Sequence, residues 1–240
     1  MTWLDPVRWP IAAALLAALP AAAFAQAMVV RSSGPSAPQY PTGRKLAADA
    51  RLSLASNDLV VLLDGEGTRT LRGPGSFAVT DRTGGASASG GLVALLTAGR
   101  PPRARTGAVR APASSDPAPQ RPNLWFADVA RGGRLCTPDP AALVLWRADI
   151  AGAARLRLTA GGQTAEVTMR EGEATATPPA GWALADGARI TIERAEVAPI
   201  ALELVKIPTP PAEAQEVAAL LIAQGCDAQL DTLIAAMPAR

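Results

Sequence analysis

The stretch "LLDGEGTRTLRGPGSF", Leu62 to Phe77, carries four glycines within eleven residues together with Arg69 and Arg72. It reads either as a phosphate-cradling loop or as strands joined by turns, and the choice decides the fold. Gly65 and Gly67 open a G-x-G-x-x-G pattern, but Thr70 stands where the third glycine belongs, and no G-K-[ST] comes after it. The residues after Gly67, "TRTLRG", alternate like a strand; the helix whose N-terminus would hold a phosphate is missing. Asp64-Gly65 with Gly67 suits a tight hairpin turn, and Gly73-Pro74-Gly75 suits a second turn. The stretch is therefore a strand, a turn, a strand and a turn. Arg69 and Arg72 are then candidate interaction residues on the rim of a β unit.

Neighbouring segments extend this unit. "MVVRSS" (Met28 to Ser33) reads as a short strand, and Gly34 to Gly43 is turn chemistry with three prolines. "ARLSLA" places Leu52 and Leu54 on one face. "LVVLLD" (Leu59 to Asp64) is apolar throughout, as in a strand buried on both faces. "PGSFAVT" adds a further strand. Strands spaced about ten residues apart describe an all-β meander over residues 28–80.

Residues 81–122 read as a flexible linker with a short helix predicted over 91–98. From Arg100 to Pro122 it holds six prolines and five arginines. A basic run of this kind can attract an anion, but no aromatic is interleaved for base stacking, so nucleic acid is not an expected partner. Residues 123–207 form a second β unit. "NLWFADVA", "ALVLWRAD", "ARLRLTA", "AEVTM", "ARITIER" and "IALELVK" read as strands, and "RGGRLCTPDP" as a turn carrying Cys136. Leu156/Leu158, Ile190/Ile192 and Ile200/Leu202/Leu204 alternate with polar residues, as in a sandwich or half-open barrel with one wet face. Trp146 and Trp182 are the expected large core fillers. Residues 208–240 change to helical period. Thr209 is the expected N-cap with Pro210 at the first helical position, and Gly225 the stop. Leu230, Leu233, Ile234 and Met237 mark a second helix, making a hairpin packed on the second β unit.

The 240 residues carry a formal charge of +2, which gives no strong field for nucleic acid or anionic membrane. No histidine is present, which excludes Ser-His-Asp and Cys-His catalysis and every His-ligated metal site. No metal or cofactor and no catalytic residue is assigned. Glu171/Glu173 and Glu193/Glu196 read as surface pairs. Trp146 or Trp182 beside carboxylates supplies a second reading, a glycan- or peptidoglycan-binding or hydrolysing protein.

The first 27 residues have the layout of a secretory signal peptide. Arg8 is followed by "IAAALLAAL", an apolar run of nine residues, then Pro20 and small residues. A-x-A cleavage sites end at Ala25 or at Ala27. The run is short of the roughly 20 apolar residues of a spanning helix, so no membrane span is expected after signal removal. The expected compartment is oxidising, the periplasm of a bacterium. There, Cys136 and Cys226, the only two cysteines, are expected to form one disulfide that staples the helical hairpin to the second unit.

"YPTGRKLAADARLSLASNDLVVLLDGEGTRTLRGPGSF" resembles the periplasmic FecR-type domain. The matching residues are Gly43, Leu46, Leu59 to Leu63, Asp64, Gly65, Leu71, Gly73 and Pro74, over about fifty residues. The resemblance implies an all-β periplasmic module used in sensing or protein–protein contact without catalysis, and an envelope or membrane-bound signalling protein as partner. "WALADGARITI" resembles a strand start of immunoglobulin- or fibronectin-like sandwiches, with Ile190 or Ile192 in place of the usual aromatic. The chain as a whole is similar to exported proteins of alphaproteobacteria. The expected architecture is mainly β, two small β units with a C-terminal helical hairpin.

Overall fold

The structure, a computed structural model, describes residues 27–81, 95–96, 121–182 and 184–240. The signal segment up to Gln26, most of the predicted 91–98 helix and the linker residues 97–120 lie outside the described residues; Leu95 and Leu96 are helical.

The first unit is built from β1 (Ala27–Ser33), β2 (Lys45–Leu46), β3 (Arg51–Leu54), β4 (Leu59–Asp64), β5 (Gly67–Arg72) and β6 (Gly75–Ala78). β1 and β3 to β6 fall where the sequence places strands, and β2 is an addition it did not announce. They form an antiparallel four-stranded sheet in the order β2-β1-β4-β5 and a separate β3-β6 pair. The continuous apolar run of β4 has a direct cause. Val60 and Leu62 face the β3-β6 pair, packing with Val29, Leu52, Leu54 and Leu71. Val61 and Leu63 face the opposite way with Met28 and Val30, into a second core. Both faces of β4 are therefore dry, which removes the polar half of its alternation.

The second unit contains β7 (Ala127–Asp128), β8 (Gly133–Thr137), β9 (Leu145–Trp146), β10 (Ala154–Ala160), β11 (Gln163–Met169), β12 (Thr175–Ala176), β13 (Arg189–Arg194) and β14 (Val197–Lys206). A five-stranded sheet, β11-β10-β13-β14-β8, faces a small sheet, β12-β9-β7. Leu156, Leu158, Ile190, Ile192, Leu202 and Leu204 supply its core. Its outer face is wet and carries cross-strand charge rows. Arg157 lies opposite both Glu166 and Glu193, and Glu203 lies between Arg134 at 3.6 Å and Arg189 at 3.4 Å. Such exposed pairs contribute about 0–1 kcal/mol each; they set register more than stability.

Three sequence expectations need correction. Cys136 lies on strand β8, parallel to β14, and not in a turn. The flanking glycines and prolines hide this strand, and its partner is some seventy residues away, so no local signal announces it. "NLWFADVA" yields only the two residues of β7, the preceding Asn123 side chain accepting from the Trp125 N–H at 2.8 Å to form a turn. The first helix, α1 (Ala214–Gln224), begins after Thr209 and Pro210, with Glu213 at its N-cap and no side-chain cap. Pro211 stands directly after Pro210 and bars it from helical backbone. Gly225, at φ 68°, ends α1 as expected, and α2 (Asp227–Ala236) comes next.

The hairpin does more than cover the second unit. One core joins Met28, Val30, Val61 and Leu63 of the first unit, Leu124, Trp125, Cys136 and Val205 of the second, and Val217, Leu221, Leu230 and Leu233 of the helices. α1 and α2 therefore form the middle layer between two β units. The Cys136–Cys226 disulfide ties this layer to β8 across 90 residues, a closure worth about 4–5 kcal/mol in the chain-entropy account. Beside it, Gln229 is fully buried. Its Oε1 accepts from the Cys136 N–H at 2.7 Å, and its Nε2 donates to the Cys136 and Leu124 carbonyls at 2.8 and 3.0 Å. One side-chain amide thus pairs the outer edge of β8 as a neighbouring strand would.

A second buried polar group holds the first unit. Asp58 is 2 % exposed, and its carboxylate accepts from the Ser36 and Ala55 N–H groups. This joins the 34–43 turns to the β3–β4 turn. A Cβ at Gly34, where φ is +103°, would sit 2.4 Å from the Asp58 carboxylate, so only glycine fits. Hydrogen bonds from the Ser36 hydroxyl and N–H hold the Asp58 carboxyl below the ordinary carboxylate range.

Gln229→Ala leaves three buried backbone groups unpaired and should lower unfolding stability by about 2–4 kcal/mol with the disulfide intact, read as the shift in urea midpoint. For Asp58 the depressed carboxyl contributes stability that is complete above about pH 4 and lost as pH falls through its folded value. Asp58→Asn should therefore be less stable than wild type near pH 6, and the gap should shrink as pH drops below about 4. A gap independent of pH in urea titrations would show that the charge is not what Asp58 supplies.

Candidate functional site

The hairpin turn Gly65–Glu66 between β4 and β5 fixes an acidic notch. The Asp64 carboxylate turns back on the loop, where Oδ1 accepts from the Glu66 and Gly67 N–H groups at 2.9 and 3.1 Å. This leaves Oδ2 pointing away, beside the Glu66 carboxylate. Both receive the guanidinium of Arg240, whose Nη2 donates to Asp64 and Nη1 to Glu66. The Arg240 side chain is 7 % exposed, and its Nε is buried without a partner. A cavity of about 110 Å³ continues from here, bounded by Ala27, Val79 and Asp81.

The backbone of the same segment lies along β5. The Thr68 N–H donates to the Pro238 carbonyl at 2.9 Å, and the Arg240 N–H donates to the Thr68 carbonyl at 2.9 Å. Ala239 thus pairs with Thr68 as a parallel strand. Gly67 makes room for this approach: a Cβ there would lie 2.4 Å from the Pro238 oxygen. In an antiparallel ladder the outward-facing residues alternate. Thr68, Thr70 and Arg72 are therefore the outward row of β5, and Thr70 and Arg72 are exposed. Their outward backbone groups have no backbone partner among the described residues.

Arg69, expected on the rim with Arg72, is instead 8 % exposed. It points to the other side of the sheet, where its guanidinium donates to the Ala78 and Asp81 carbonyls and closes the end of β6 over β5. Burial holds it below the ordinary arginine range, against the pull of Asp81. It faces inward because its position alternates with Thr68 and Thr70; the sequence reading missed this register.

A second concavity, of about 280 Å³, lies between α2 and the second β unit, with Trp146, Arg121, Asp128, Arg131 and Asp231 on its walls. Trp146 is 7 % exposed, and the Arg121 guanidinium lies over its ring at 5.5 Å. Arg121 also pairs with Asp128 at 3.1 Å. Burial lowers its proton affinity, and Asp128 opposes that. Arg121 thus belongs to the folded second unit and not to the solvated linker. Asp231 is engaged by Arg31 and by Arg131. The ring face is covered by an arginine, and each carboxylate is held by a cation. Trp182 is half-buried against the sandwich core. Glu171, Glu173, Glu193 and Glu196 lie at turns and strand ends, and Glu173 accepts from the Arg170 N–H at 2.8 Å in its own turn. No group of three or more metal-ligating side chains occurs among the described residues, and none of their helices is long and apolar enough to cross a membrane.

Three features outside the sequence reading matter here: the Thr68–Ala239 bridge, the acidic notch and Gln229. Gln229 has one sequence signal, a polar residue three positions after Cys226 and four before Leu233, on the buried stripe of a helix. Arg240 has none. No protein-family model, no curated protein and no solved structure matches this chain.

Proposed function

We propose that this chain is an exported, non-catalytic periplasmic module that binds a protein partner, an envelope component or membrane-bound signalling protein, by strand addition to β5. The observation that carries the reading is the outward row Thr68, Thr70 and Arg72. One of its three residues already takes an isolated parallel bridge from Ala239. An open sheet edge takes an extended peptide through main-chain hydrogen bonds. An apolar patch is the usual alternative contact surface, but among the described residues Val197, 48 % exposed, is the only large apolar side chain left open. The glycan reading draws less support, because Arg121 covers the Trp146 ring where a sugar would stack.

Export itself rests on the N-terminal layout and agrees with the disulfide. Burial at the start of β1 favours the earlier of the two A-x-A sites. Ala27 is 2 % exposed and pairs with Leu46, and Met28 is 1 % exposed in the shared core. Cutting after Ala27 would remove the first residue of β1 and place a charged amine on Met28. Cutting after Ala25 leaves the strand whole.

Intact mass of the protein recovered from the periplasm should match a chain starting at Gln26. A mass starting at Met28 would refute the site, and retention of residues 1–25 would refute cleavage altogether. For binding, a photo-crosslinker at Thr70 should trap a partner from envelope fractions, whereas one at Glu166 on the wet face of the second unit should not. Thr70→Pro removes an outward N–H that no ladder bond uses. It should cut the trapping at least tenfold in a chain crosslinked from Arg72, and unchanged trapping would sink the strand-addition reading.

A further inference from the structure

We infer that the β5 edge and the Asp64–Glu66 notch together form a receptor for an extended segment of a protein partner that carries an arginine or lysine, and that Pro238–Arg240 fill this receptor in cis until such a segment displaces them. This rests on the strand-addition reading above and gives it a partner chemistry.

The chain itself supplies the template. Its last three residues make the two main-chain bonds of a parallel strand with Thr68. The Thr68 hydroxyl reinforces them, donating to the Pro238 carbonyl at 3.3 Å. The Arg240 side chain then fills the notch and is almost wholly buried there. Main-chain pairing is indifferent to sequence, whereas the notch is not: two carboxylates face one guanidinium fork. An acidic residue at that position would be repelled, and an apolar one would leave Asp64 Oδ2 without the guanidinium it faces. The edge thus provides affinity and the notch provides selection for a base.

Among the described residues the cis contact covers Thr68 alone, the first of the three outward residues. A segment that continues past its basic residue would run on in the same direction and pair with Thr70 and Arg72 as well. Gly67 serves either occupant, since its missing side chain lets the added backbone approach. The Arg240 Nε, buried without a partner, marks the cis fit as less than fully satisfied. Position favours the tail: Met237, immediately before it, is anchored in the shared core. A partner therefore competes against a tethered occupant, and must offer the additional pairs to win.

The test uses the full mature chain and a labelled peptide, Ala-Ala-Met-Pro-Ala-Arg-Thr-Val, whose first six residues copy the tail and whose last two extend it. Arg240→Glu repels the tail from the notch while leaving the receptor intact. Fluorescence anisotropy should show this variant binding the peptide at least tenfold more tightly than wild type. Replacing the peptide's arginine by alanine should weaken binding at least tenfold, and adding Asp64→Asn with Glu66→Gln to the Arg240→Glu chain should do the same. Deletion of residues 238–240 should reproduce the Arg240→Glu gain and guards against an effect peculiar to the new glutamate. Equal binding by wild type and both tail variants, or equal binding of the arginine and alanine peptides, would overturn the proposal. So would concentration-dependent dimerisation of wild type that Arg240→Glu abolishes, since the occupant would then be a second copy's tail. The peptide assay stands apart from crosslinking at Thr70. Loss of trapping with peptide binding intact removes the envelope partner and keeps the receptor, and the reverse removes the notch and keeps the edge.

Discussion

The two β units and the helices between them depend on what happens at Cys136. Its side chain is bonded to Cys226 at the start of α2, and its N–H and C=O are both taken by the Gln229 amide one turn further on. The disulfide holds the larger share of free energy, about 4–5 kcal/mol through the unfolded chain against about 1 kcal/mol net for a typical hydrogen bond. The amide contributes something the disulfide cannot. A disulfide limits distance and leaves rotation open, whereas a two-point amide pairing fixes how α2 lies along β8. With α2 fixed on the second unit, α1 is fixed by the α1–α2 hairpin. The first unit then packs its Met28, Val30, Val61 and Leu63 face against a surface already in place.

That dependence explains what could be read in the sequence. Elements with one buried face were legible, because alternation of period two or a stripe of period 3.6 is a local signal: β3, β10, β13 and the bodies of both helices fall where their patterns place them. β4 was legible for the opposite reason, since an apolar run without alternation marks a strand with two dry faces. β8 was not. Its Leu135 faces the sandwich core and Cys136 the helical layer, but Gly133 and Arg134 before them break the run, and its only ladder partner, β14, is distant in the chain. The start of α1 was misread because Thr209 and Pro210 have the composition of a helix start, and the conformational veto lies in the next proline.

The candidate site was legible in part. The turn at Gly65 and Glu66 and the two strands around it were read correctly, and they create the edge and the notch. The occupant was invisible, because Pro238–Arg240 come after the last helix with no periodicity, and their pairing with Thr68 joins residues 170 positions apart. The assignment of Arg69 failed for a related reason. Arg69 and Arg72 look alike in sequence, yet three positions along a strand put them on opposite sides of the sheet. The inward one spends its charge on carbonyl oxygens, and the outward one remains exposed.

Unpaired edges are a hazard that a mainly β protein must cover. Here the coverings differ in kind. β8 is closed by a buried side-chain amide next to a covalent bond, so its opening would require the core to come apart. The outer edge strand of the same sheet, β11, is marked by the exposed charge of Glu166. β5 is covered at Thr68 by Pro238–Arg240, which come directly after Met237 of the shared core. Tethering gives Pro238–Arg240 an effective concentration on the order of millimolar at the edge. A cover of that kind suppresses indiscriminate edge pairing and still yields to a longer strand with the right charge. The β8 edge is thus closed within the core, whereas the proposed replaceable cover of β5 lies beside the Asp64–Glu66 carboxylates.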